Sequence, residues 1–92
     1  MHELSIARSI VELVEEQADN RGASVVEELE LEIGHLSGVE IQTLEFALDS
    51  AIKGSKLEKP GLSVIILRGK DSVATVRPFS QEPALVFPLF PH

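Results

Sequence analysis

Apolar residues in the first part of the chain recur every three to four positions. In SIARSIVELVEEQADNR, residues 5–21, a stripe of Ile6, Ala7, Ile10, Val11, Val14 and Ala18 stands apart from Glu12, Glu15, Glu16 and Asp19. That spacing predicts an amphipathic helix, with Ser5 as its N-cap and Gly22 as a left-handed C-cap. The period then drops to two. In VVEELELEIG, residues 25–34, Leu29, Leu31 and Ile33 alternate with Glu28, Glu30 and Glu32. This is the pattern of a half-buried strand with one solvated acidic face. A helical period returns in residues 37–53, where Leu44, Ala47, Leu48, Ala51 and Ile52 form the buried stripe. Ser37 and Glu40 fit the S-x-x-E capping box, and Gly54 closes the helix. LSVIIL, residues 62–67, is nearly continuous in apolar residues. Such a run predicts a strand buried on both faces or central in its sheet. MHEL has the composition to add a short edge strand ahead of the first helix.

Helix, strand, helix and strand in that order predict an α+β fold, a small sheet with two helices packed on one face. The pattern divides the chain into residues 1–67 and an atypical, irregular tail, residues 68–92. The tail has no helical period and holds four of the five prolines, Pro78, Pro83, Pro88 and Pro91. VATV, residues 73–76, reads as a strand that folds back on LSVIIL as a hairpin through RGKD, with Gly69 in the turn. Failing that, a second molecule pairs with the open edge as a homodimer. The apolar, proline-broken end is expected to pack poorly or to pack against a partner.

Composition narrows the function. The chain has 92 residues, 43% of them hydrophobic, with four Phe and no Tyr or Trp, so one domain with an aliphatic core is expected. Eight basic residues against fifteen acidic give a formal charge of −7. That balance opposes binding to nucleic acid or to an anionic membrane, and it favours cations. No apolar run approaches the roughly 20 residues of a membrane span. The N-terminus lacks a signal-peptide layout, so the expected compartment is the cytoplasm. With no cysteine, neither a disulfide nor a thiolate zinc site can form. No H-E-x-x-H helix, phosphate loop or nucleophile triad is present, which argues against an enzyme.

The chemistry that the sequence does offer sits at its start. An α-amino group at Met1, the amide and imidazole of His2 and a further amide can wrap one ion in fused chelate rings. Planar nitrogen coordination of that kind favours Ni(II) or Cu(II) over zinc. Glu3 can supply an oxygen or hold the imidazole. Glu40 has two readings, the capping glutamate or a carboxylate turned toward the N-terminus. His35 reads as a solvated turn histidine, and His92 is terminal.

MHELSIA, LEIGHLSGVE and FALDSAIKGS together resemble the HypA/HybF family of hydrogenase nickel-incorporation proteins, over residues 1–64. The resemblance implies a non-enzymatic metallochaperone that binds Ni(II) through Met1, His2 and Glu3, with Glu40 as a further candidate ligand. It also implies delivery to a partner GTPase and to the hydrogenase large-subunit precursor, with urease a second client in some members. The family carries a second, zinc-binding domain with two C-x-x-C pairs, and this chain has no cysteine for it. Val73 and Val76 stand about where the first pair should begin. A back-translation of residues 69–77 read one frame over yields a C-x-x-C pair. The sequence thus reads as truncated or frameshifted before the zinc domain, or as a genuine shortened variant. The expected function is nickel carriage. The alternatives are a metal-free protein-interaction module and a non-functional truncated product.

Overall fold

A computed structural model of the chain describes residues 2–22, 25–79 and 83–90; for His2 it describes the backbone only. Helix α1, His2–Asn20, is followed by strand β1, Val26–Gly34, and helix α2, Ile41–Ile52. Three strands complete the order: β2, Ser63–Gly69, β3, Val73–Pro78, and β4, Leu85–Pro88. The strands form one sheet in the order β2-β1-β3-β4. β1 runs parallel to β2 and antiparallel to β3, and β4 is antiparallel to β3.

This is the expected α+β architecture, with the helices packed together and in contact with the sheet. The alternation in β1 works as read: Leu29, Leu31 and Ile33 are fully buried, while Glu28, Glu30 and Glu32 are only half-buried. Their apolar sides meet the stripes of both helices, Ile10 and Val14 from α1 and Leu44 and Leu48 from α2, in one aliphatic core. Burying such side chains is worth about 1.5–3 kcal/mol each. The helix stripes and the β1 alternation therefore fix which face of each element turns inward.

Several local expectations are corrected. MHEL adds no strand, because α1 already starts at His2, and Ser5 lies inside it rather than at its cap. α2 starts later than the capping box implied. Gly38 has φ +76, outside helical space, so residues 37–39 form a turn and the helix begins at Ile41. Ser37 Oγ accepts from Val39 N in that turn at 3.2 Å.

The chain after residue 67 is more ordered than its prolines suggested. VATV becomes β3, but it pairs with β1 and not with β2. The connection from β2 to β3 crosses the end of β1 instead of making a hairpin. Ser72 Oγ accepts from Gly34 N at 3.0 Å, and His35 N donates to Gly69 O at 3.0 Å. The crossing is close enough that a Cβ on Gly34 would stand 3.1 Å from the Lys70 carbonyl oxygen. β4 then pairs with β3 and buries Phe87, with Leu89 beyond it, in the core. Pro78 and Pro88 close their strands, where a missing N–H costs little. The predicted central position of LSVIIL is overturned by the same topology. β1 and β3 are the inner strands and β2 is an edge. Among the described residues, no helix is long and apolar enough to cross a membrane.

Candidate functional site

The sequence placed its site at the N-terminus. Met1 and the His2 side chain lie outside the described residues, as does His92. Glu3 and Glu40 are described, and the fold does bring them together. Glu40 is the N-cap of α2, and its Oε1 accepts from Thr43 N at 3.2 Å and Thr43 Oγ1 at 3.4 Å. Glu3, projecting from the first turn of α1, accepts from Glu40 N at 3.4 Å. Donation from backbone N–H groups, its own first and that of Glu40 next, holds the Glu3 carboxyl below the usual carboxylate range. The two carboxylates thus serve the exposed N–H groups at the start of α2. His35 is exposed in the turn after β1 and takes part there through its backbone N–H.

Among the described residues, no group of three or more His, Cys, Asp or Glu side chains is placed to hold a metal ion. The expected nickel carrier is corrected on this finding. The Glu3 and Glu40 carboxylates that are described accept from N–H groups at the start of α2. A thiolate zinc site is excluded by composition, since the chain has no cysteine.

A second feature went unread in the sequence. Between α2 and β2 runs an open groove of about 410 Å³, lined by Gln42, Glu45, Phe46, Asp49, Ile52 and Val64. Phe46 is 81% exposed, an unusual state for the largest apolar side chain on the helix. Beside it, β2 leaves Val64, Ile65 and Leu67 exposed. Register puts Val64 on the helix side with Leu29, and Ile65 and Leu67 on the open face with Glu30 and Glu32. No other strand pairs along the outer side of β2 among the described residues. A signal for this was present. Phe46 falls outside the stripe of Leu44, Ala47, Leu48, Ala51 and Ile52, so an off-stripe aromatic marked a solvent-facing contact point.

Arg68 is the only charged residue on β2, and it is turned away from the edge. Its guanidinium donates to Gly34 O at 3.2 Å and to Val39 O. It thereby ties β2 to the turn that leads into α2. The groove and the capping carboxylates consequently lie along one helix, with its N-terminus pinned by Glu3 and Arg68.

Comparison with known proteins places these features in a family. Residues 1–71 match the family described as hydrogenase/urease nickel incorporation, metallochaperone, hypA. The hydrogenase maturation factor HypA of Azotobacter vinelandii is 41% identical over 70 residues, 76% of this chain and 62% of that protein. The HypA of Chlorobaculum parvum is 47% identical over 53 residues, 58% of this chain and 47% of that protein. The HypA of Paracoccus denitrificans is 43% identical over 70 residues, with the same coverage as the first. The chain therefore spans less than two thirds of the length of these relatives. The solution structure of the Ni metallochaperone HypA from Helicobacter pylori shares the fold, with a TM-score of 0.67 over 96% of this chain and 70% of that one, at 24% identity. The family is one of metallochaperones and not of enzymes. With 71 of its residues matched, the chain belongs to the HypA family of hydrogenase and urease nickel-incorporation proteins.

Proposed function

We propose that this chain acts as a metal-free protein-interaction module of the hydrogenase maturation machinery. The observation that carries this reading is the β2 edge, unpaired among the described residues, with Val64, Ile65 and Leu67 exposed on it and Phe46 exposed beside it. Apolar side chains clustered at an unpaired strand edge mark an interaction site. The engagement of Glu3 and Glu40 with the α2 N-terminus supports the metal-free part. In this reading residues 1–67 form the docking unit, and strands β3 and β4 brace it. Family membership suggests the partners: the nickel-delivery GTPase of the maturation pathway and the hydrogenase large-subunit precursor.

The test is co-elution of the whole chain with each of these proteins in a chelator-containing buffer. A complex that forms with all metal removed, and that is no tighter with added Ni(II), is the expected result. A complex that appears only when nickel is supplied would overturn the reading.

A further inference from the structure

The module reading leaves open what binds the β2 edge, and the inference here rests on that reading. We infer that β2 accepts, as a fifth strand, an extended polypeptide segment of a partner protein that alternates basic with apolar side chains.

The backbone supplies the first argument. β2 is seven residues long, and its outer side is unpaired among the described residues. Edge strands in soluble proteins are usually blocked by Lys, Pro, a bulge or brevity. β2 has none of these: it carries no Lys or Pro, and its one charge, Arg68, is drawn inward to Gly34 O and Val39 O. An added strand would gain main-chain hydrogen bonds along the whole edge, the usual source of affinity in strand addition.

The side chains supply the chemistry. In a strand laid along β2, alternate residues point to opposite faces of the sheet. Those on the open face meet Ile65 and Leu67 and should be apolar. Those on the helix face enter the groove, where Val64, Phe46 and Ile52 meet the stems and Glu45 and Asp49 meet the ends. Glu45 and Asp49 are both exposed, and the chain carries a net charge of −7. A Lys or Arg there keeps its methylenes on Phe46 and its charge at a carboxylate. The same charges argue against a second copy of this chain. Pairing β2 with its symmetry mate would bring two acidic proteins and two acidic groove walls together.

The probe is a short synthetic peptide alternating lysine with valine, compared with a version carrying glutamate in place of lysine. The peptide should slow amide exchange at residues 64–68 of the intact chain and should lose affinity as salt is raised. Glu45→Lys with Asp49→Lys should weaken it about tenfold. Glu12→Lys with Glu16→Lys, on the exposed side of α1, should leave it unchanged. Circular dichroism of each variant checks that the fold is kept. Equal binding of the glutamate peptide, no protection at 64–68, or protection that rises with protein concentration alone would each overturn the inference, the last in favour of a second copy. The two proposals fail separately. If the GTPase co-elutes equally with the Glu45→Lys/Asp49→Lys variant, the module reading stands and this surface is wrong. If the peptide behaves as stated but neither maturation protein binds, the edge chemistry stands and the assignment of partners is wrong.

Discussion

The sheet has two outer strands, and they are treated in opposite ways. β4 is four residues long, ends on Pro88, and sets Phe87 into the core. β2 is seven residues long, contains no proline, and leaves three large apolar side chains at the surface. β4 looks like an edge closed by brevity and proline, and β2 like one kept open. The difference separates stability from function in physical terms. On β4, Phe87 faces inward and helps hold the fold while Val86 is exposed, whereas on β2 Val64, Ile65 and Leu67 are all left where a partner can reach them.

The largest expected effect lies on the closed side. Phe87→Ala should cost about 3 kcal/mol in denaturant unfolding, because it opens a cavity under β3 and β4. Ile65→Ala, at the half-exposed open edge, should cost well under 1 kcal/mol. Similar losses at the two positions would erase the distinction between the edges.

An intermediate effect is expected at the α2 N-terminus, which lines up the groove beside β2. Glu40→Ala removes the cap on Thr43 and should lower stability by about 1 kcal/mol. Glu40→Asn, a strong N-cap residue, should restore most of it. If Glu40→Asn is no better than alanine, Glu40 has a role other than capping.

The smallest effect is a pH dependence. The Glu3 carboxyl is held below its ordinary value, chiefly by backbone N–H donation. Its contribution is present above the normal carboxylate range and is lost as pH falls through the lowered folded-state value. Wild type should therefore lose more stability than Glu3→Gln between neutral and acid pH. Thermal melts of both proteins across that window check the sign, and parallel curves would remove Glu3 from the capping arrangement.

Much of the inner side of the fold was legible in the chain. The stripes of α1 and α2 and the alternation of Leu29, Leu31 and Ile33 are local periodicities, and each names its buried face directly. The outer side was not. A run such as LSVIIL is equally apolar whether it is a central strand or an edge that waits for a partner. What decides is where VATV pairs, and that is a non-local fact. Strand pairing put VATV on β1, beside the acidic strand, and not on the apolar one. Proline density after residue 77 suggested irregularity, but Pro78 and Pro88 stand at strand ends. At the expected metal site, a capping role for Glu40 was readable, but as the far end of a capping box and not as the N-cap itself. Gly38, with its positive φ, shifts the start of α2 to Ile41 and turns Glu40 into the cap. The groove was half legible, since Phe46 sits off the buried stripe of its helix.

The central claim is that β2 is the docking edge and β4 is not. Hydrogen exchange on the chain, alone and bound to the maturation GTPase in metal-free buffer, tests it most directly. The account predicts that binding slows exchange at residues 63–69 and leaves residues 85–88 unchanged. Protection confined to residues 85–88, or none at residues 63–69 in a complex that demonstrably forms, would contradict it.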